Sequence, residues 1–270
     1  MEVKDVIISR NRKTVIKLFC LGDIHAGTIH CVEDHIKKKV QEIKETKDAY
    51  WVGMGDYAEF ITPRDKRFDP SQKAIAEWVE QDNIAECQTK WVVDLFTPIK
   101  DKCWGLLYGN HEDSIRKFNH DNVQKNICDR LGVDNLGFSC FLKLHFQRSK
   151  NANRNLYKGA LTHGSTSAVT EGAKMMALMR FMKDNDADFY AYAHCHDYMP
   201  KARSVKTVSD AGRIKQRVAI GATTGSWFRT YTQGIIASYG ELKTYPPTEI
   251  CCAVFTIDPE HDFIDVNRSV

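Results

Sequence analysis

The feature that most constrains this chain is a repeated order of segments. A short apolar run comes first, then a turn rich in Asp, His, Asn and Gly, then a stretch with helical spacing. Thr14–Leu21 reads as a buried strand, and Ala49–Met54 and Cys103–Tyr108 as two more. Between them, Glu33–Glu45 reads as an amphipathic helix, with Val32, Ile36, Val40 and Ile43 on one face. Ser71–Phe96 reads as a long helical stretch stopped by Pro98, and Asp121–Leu131 as a helix ended by Gly132.

The second half is richer in strands. Phe141–Phe146, Tyr157–Leu161 and Phe189–Ala193 read as strands around a Met- and Leu-rich helix, Ala173–Asn185. Arg203–Val208 and Ile214–Ile220 predict a hairpin about Asp210-Ala211-Gly212, and Cys251–Ile257 with Phe263–Val266 a closing one. Alternating α/β units followed by meanders predict two packed sheets flanked by helices. With no repeats, low-complexity tract or Pro/Ser-rich linker, 1–270 reads as a single domain without a separate capping domain.

Composition narrows the class. The chain has 270 residues, 43% hydrophobic and 27% charged, as in an ordinary soluble protein, and a formal charge of +3 names no partner. Met1–Lys13 lacks the apolar core of a secretory signal, and no run is long enough to span a bilayer. Nine scattered cysteines without a CxxC pair read as reduced thiols, so the expected location is cytoplasmic.

Five clusters stand out: Asp23-Ile24-His25, Gly55-Asp56, Gly109-Asn110-His111-Glu112, His163-Gly164 and His194-Cys195-His196. Four of them directly follow an expected strand, where α/β folds present functional loops. In extended chain, side chains two apart share a face, so Asp23 and His25 can meet, as can His194 and His196, with Cys195 turned away. One cluster would pass for a turn; five in succession do not. Carboxylate, imidazole and amide oxygens together suit a borderline divalent metal such as Mn, Fe, Zn or Ni, and a set without thiolate is unlike a structural zinc site.

The ordered set D-x-H, G-D, G-N-H-E, H and H-x-H, from Asp23 to His196, resembles the calcineurin-like metallophosphoesterase superfamily. That family includes nucleases, cyclic nucleotide phosphodiesterases and Ser/Thr protein phosphatases. The resemblance implies an α/β fold, a four-layer α/β/β/α sandwich of two mixed sheets flanked by helices. It implies two divalent metal ions, Mn above Fe, Zn or Ni: one held by Asp23, His25, Asp56 and His196, the other by Asp56, Asn110, His163 and His194. A bridging water activated to hydroxide would then attack phosphorus in line with the leaving oxygen. His111 would stabilise or protonate that oxygen. Its ring needs a carboxylate, for which the resemblance offers Glu59, with Glu112 as the competitor.

The departures bear on substrate. Ala193 replaces the glycine usual before the last histidine pair. Phe60 and Tyr108 stand where the protein phosphatases carry the arginines that clamp a monoester. Arg64 or Arg67 is the available substitute. Basic residues, among them Arg148 and Lys150 in Lys143–Lys158 and others in Lys201–Arg217, are expected to follow a phosphate backbone or to protect edge strands. Arg229 and its aromatic neighbours in Gly225–Tyr245 are expected either to meet a base or to cover the core. The expected function is that of a phosphodiesterase or nuclease acting on nucleic acid or oligonucleotides. The alternatives are a phosphomonoesterase acting on nucleotides or phosphoproteins, and a silent nucleic-acid-binding or scaffold protein.

Overall fold

A strand that is apolar at every position needs cover on both faces, and the computed structural model, which describes residues 1–69, 71, 73–149, 155–209 and 211–270, supplies it. In chain order the elements are β1 (Glu2–Ser9), β2 (Ile16–Leu21), α1 (Glu33–Glu45), β3 (Ala49–Gly53), α2 (Ile84–Phe96), β4 (Cys103–Leu107), α3 (Asn110–Asn119) and α4 (Val123–Leu131). There follow β5 (Asn135–Gly137), β6 (Ser139–Gln147), β7 (Asn155–Thr162), α5 (Glu171–Asp184), β8 (Phe189–Tyr192), β9 (Pro200–Val208), β10 (Ile214–Thr223), α6 (Tyr239–Leu242), β11 (Cys252–Asp258) and β12 (Phe263–Ser269).

Two six-stranded sheets result, ordered β12-β11-β2-β3-β4-β5 and β1-β6-β7-β8-β10-β9. Both are mixed: β2 to β5 run parallel while β11 opposes β2, and β7, β8 and β10 run parallel while β6 opposes β7 and β9 opposes β10. The pleat of β2 shows how one strand serves two layers. Leu18 and Cys20 enter the core between the sheets with Leu142, Leu144, Phe189 and Phe255. Phe19 and Leu21 point the other way, against Ile36, Val40 and Ile43 of α1 and Val92 and Phe96 of α2. On the outer face of the second sheet, Leu178 and Met182 of α5 cover Ala160, Tyr190 and Tyr192. The architecture is therefore α/β/β/α.

Sequence periodicity misjudges one segment, and the structure adds elements that it leaves unassigned. Ser71–Phe96 is helical only from Ile84 onward. The backbone before it is committed elsewhere, with Ile29 N–H donating to the Ala74 carbonyl and Ala76 N–H to that of Gly27, both at 3.0 Å. Those pairings, with Ala76, Val79 and Ile84 packed in a small core of their own, override helix propensity. The polar N-terminus forms β1, a parallel edge strand on β6 whose exposed face explains its composition. The Gly109 turn opens directly into α3 rather than a loop. The β9–β10 hairpin forms as expected, although Asp210 at its turn lies outside the described residues. No helix among the described residues is long and apolar enough to cross a membrane.

Candidate metal centre

All five clusters lie just beyond the C-terminal ends of β2, β3, β4, β7 and β8. The local geometry is not the extended one expected. Asp23, His25, Asp56, His194 and His196 all adopt left-handed backbone, with φ of 48°, 52°, 52°, 67° and 57°. The side chains of each x-separated pair converge because the chain curls, not because a strand alternates. Two loops brace this curl. Asp23 O accepts from Ser226 Oγ (2.9 Å) and Trp227 N–H (3.0 Å), and Asp56 O from the N–H groups of Ile24 and His25.

The carboxylates follow one rule. Each spends an oxygen on a backbone donor and turns the other inward. Asp23 Oδ2 accepts from His194 N–H at 2.9 Å, leaving Oδ1 3.5 Å from His196 Nε2. Asp56 Oδ1 accepts from His111 N–H at 2.9 Å, leaving Oδ2 3.3 Å from His163 Nε2. Gly109 is required here: a Cβ would sit 2.1 Å from Asp56 Oδ1 and 2.6 Å from His163 Cε1.

Ligand-bearing atoms gather in three overlapping groups, each within 4.8 Å: Asp23, His25 and His196; Asp56, His163 and His194; and His25, Asp56 and His111. Asn110 joins the second, its Oδ1 3.2 Å from His163 Nε2. All seven side chains named from the sequence as metal-holding are thus brought together, with Asp56 at the middle. Cys195 packs under α5 and belongs to none of the groups.

The donor chemistry tests whether cations fit. His163 Nδ1 donates to the Met54 carbonyl at 2.8 Å, which leaves Nε2 with a lone pair facing the Asn110 and Asp56 oxygens. His25 Nδ1 is likewise turned to Glu59 Oε2 at 2.9 Å, so its Nε2 faces His196 Nε2 at 3.1 Å. Asp23 Oδ1 and His194 Nδ1 are buried without a hydrogen-bond partner among the described residues. Lone pairs converging on lone pairs in a buried site need a proton or a cation between them. Burial opposes charge on His25 and His163. For His25 the Glu59 hydrogen bond, and for His163 the Asp56 carboxylate, outweigh it and raise the pKa to about 9 and about 10. Burial likewise opposes charge on Asp56, yet the surrounding imidazoles, His163 and His111 foremost, hold it well below the usual carboxylate range. His194 goes down, first by burial and then by the charge of His163.

Two acids take roles other than the expected ones. The Glu59 carboxylate meets His25 rather than His111, from whose Nδ1 it stands 4.0 Å away; His111 Nδ1 meets the Glu59 backbone carbonyl at 2.5 Å. Glu59 therefore orients a histidine of the metal cluster, and its backbone holds His111. Glu112 is not a partner of His111 either. Its carboxylate accepts from the N–H groups of Asp56 (2.9 Å), Tyr57 (2.8 Å) and Gly109 (2.8 Å), clamping two site loops together. The signal was present in the sequence, since a Glu three residues after a helix-opening Gly is half of a capping box.

The proposed substrate contacts separate. Arg67 lines the cavity over the cluster, its Nη1 3.1 Å from His111 Nε2 and its Nη2 2.7 Å from Asp65 Oδ2. Arg64 is exposed and outside that cavity. Arg229 is also exposed, while Phe228 and Thr230 on either side of it line the cavity. Arg148 is paired with Glu260 at 2.7 Å and sits at the wrong end of the second sheet. Ser139 pairs with Thr162 beside the cluster, and the chain then runs about 30 Å away before reaching Arg148. Lys150 lies outside the described residues. Phe60 is buried and Tyr108 packs on Phe138, so neither clamp position offers a cation. Ala193 is buried and displaces no candidate ligand.

No family model and no curated relative matches the sequence. Among solved structures, a metallophosphoesterase from Sphaerobacter thermophilus is similar at 11% identity over 94% of this chain and 88% of that one, with a TM-score of 0.40. A predicted phosphoesterase from Streptococcus pneumoniae TIGR4 is 11% identical over 95% and 99%, with a TM-score of 0.35. Vps29 complexed with zinc from Entamoeba histolytica is 9% identical over 94% and 98%, with a TM-score of 0.28. The fold class rests on the sheet topology above, and the chemistry on the side chains.

Proposed function

We propose that this chain is a metal-dependent hydrolase of phosphate esters that holds two divalent cations across Asp56 and favours diesters. The observation that carries the reading is the ring of inward-turned donors, buried at Asp23, His25, Asp56 and His163 and partly open at the rest: Asp23, His25 and His196 on one side, Asn110, His163 and His194 on the other, and Asp56 between. Bound there, a cation pair supplies charge neutralisation at the phosphoryl oxygens and lowers the pKa of water. The chain's own residues do the rest. Glu59 fixes the His25 ring, and its backbone carbonyl fixes His111 Nδ1, leaving His111 Nε2 facing the cavity to hold or give a proton at the leaving oxygen. Arg67 adjoins that nitrogen and lends positive charge.

Diester preference follows from the uncharged Phe60 and Tyr108. With Arg148 and Arg229 outside the cavity, the substrate it suits best is a nucleotide-like diester or short oligonucleotide. Arg67 favours a second reading, a monoesterase in which its guanidinium replaces the missing clamp. The test is a panel of nitrophenyl diesters and monoesters and a dinucleotide, run on dialysed protein with Mn²⁺, Zn²⁺ or Ni²⁺ restored. Metal-restored turnover of diesters above monoesters is expected. Full activity in chelator sinks the metal reading, and faster monoester turnover that collapses in Arg67→Ala moves the chain to the second one.

A further inference from the structure

The cation cluster forms only one wall of a cavity of about 670 Å³. The rest of its wall is a largely apolar recess lined by Ile61, Phe68, Ile75, Val79, Ile84 and Leu242, among others, which no hydrolytic step requires. His30 stands in this recess. It is 3% exposed, and neither Nδ1 nor Nε2 has a hydrogen-bond partner among the described residues. Its backbone is fixed, the carbonyl accepting from Arg229 N–H at 2.9 Å. The Phe228 ring stands 5.5 Å from His30, 5.4 Å from His25 and 6.0 Å from His196, so one aromatic ring separates His30 from the metal-facing imidazoles.

A buried imidazole with both nitrogens unpaired costs stability, and such groups are rare unless something else completes them. Burial lowers the His30 pKa, against the opposing charges of Glu59 and Glu241, which favours the neutral ring. A neutral imidazole offers one donor and one acceptor. The partner it fits is therefore uncharged, polar at one edge, and otherwise apolar enough to displace water from the recess.

We propose that the recess receives a flat heteroaromatic group on one alcohol of the phosphoester, a nucleobase-like ring packed near Phe228 with its polar edge on His30. This rests on the phosphoesterase reading and adds the specificity-determining residue. Selection comes from two sources: the apolar wall rewards a ring over a methyl group, and His30 rewards a ring with donors and acceptors over a plain one.

The first arm of the test needs no metal and no turnover. Thymidine is titrated into the metal-free protein by saturation-transfer NMR, beside wild type, His30→Leu and His30→Gln. Leu removes both polar atoms, and Gln restores a donor and an acceptor. Thymidine binding that weakens about tenfold or more in His30→Leu and recovers in His30→Gln is expected. Equal binding by all three proteins, or none by wild type, overturns the proposal. The melting temperature of each variant shows whether it is folded.

The second arm compares methyl, phenyl and thymidine 5′ diesters that share nitrophenol, with Mn²⁺ present. KM should fall from methyl to phenyl to thymidine, and the thymidine-to-phenyl ratio should collapse in His30→Leu. Equal KM for all three esters, with metal-dependent turnover intact, overturns the recess and leaves the phosphoesterase reading standing. Thymidine binding that depends on His30 while no ester is cleaved with any metal overturns the phosphoesterase reading alone.

Discussion

The two walls of the central cavity are built on different principles. The metal-facing wall is made of strand-end turns whose polar atoms hold one another: Glu112 accepts from three backbone N–H groups, Asp23 takes that of His194, and Asp56 that of His111. The recess wall is made mostly of apolar side chains from residues 61–84 and 228–248, which are irregular apart from the first residue of α2 and the short α6. Hydrogen bonds are directional and fix positions to fractions of an ångström; apolar contact is not, and tolerates change of shape. The first wall is suited to holding charge in place, the second to choosing among substrates.

The sharpest way to break the first wall alone is Asp56→Asn, which removes the shared negative charge while keeping shape. kcat should fall about a thousandfold or more, because several kcal/mol of charge stabilisation go with the cations. Metal content by mass spectrometry should fall with it, and a variant with full metal and normal kcat would contradict the central place of Asp56. Glu59→Gln probes the next layer. Loss of the charged partner of His25 should weaken metal affinity about 10–100-fold, read by metal titration. Unchanged affinity would return Glu59 to the role of a bystander.

Ile84→Ala tests the other wall. This 5% exposed side chain should cost about 2–5 kcal/mol of stability in a denaturant melt. KM for aryl esters should rise several-fold, with kcat moving far less. A fall in kcat with constant KM would mean that the two walls are not separable.

Acidity sharpens the contrast further. His25 and His163 have pKa values of about 9 and about 10 in the folded metal-free chain, against an ordinary 6.5. A raised folded pKa gives stability that is complete below pH 6.5 and disappears as pH climbs through 9 to 10. The melting temperature of dialysed protein should therefore fall across that window. Saturating metal should flatten the curve, since binding displaces the same protons. The smallest effect is expected at Arg148→Glu. Its pair with Glu260 is a surface contact worth below about 1 kcal/mol, and its distance from the cluster predicts diester turnover equal to wild type. Loss of turnover there would return Arg148 to the substrate contacts.

How much was legible in the sequence follows the same division. The metal-facing wall announces itself, since Asp23, Asp56, Asn110, His163 and His194 each follow an apolar strand closely. Helix α1 falls on the limits its apolar spacing gives. What sequence spacing misses is decided by contacts between distant segments. The backbone of 27–29 takes the hydrogen bonds that would have made 71–83 helical. Glu59 reaches His25, 34 residues earlier, rather than the expected His111, 52 residues later. The left-handed curl of the D-x-H and H-x-H turns leaves only a weak mark in composition, the tolerance of Asp and His for positive φ, and the expectation of extended chain overrides it. Arg148 and Arg229 look alike as basic residues until sheet direction and loop alternation place them away from the cavity. His30, with no motif around it, gives no signal at all.

The five left-handed residues of the metal-facing wall carry a consequence for how such a protein can change over generations. L-residues in that conformation cost free energy that Gly avoids and Asn reduces. At Asp23 and Asp56, with φ of 48° and 52°, substitution to Asn relieves backbone tension, keeps an oxygen for the His194 or His111 N–H and abolishes the negative charge. The changes that silence the site are among those that relax its chain. Catalytic competence here is an uphill position kept by selection. A lineage released from that selection would slide toward a sturdier, metal-free descendant with the same sheets and helices and an empty rim.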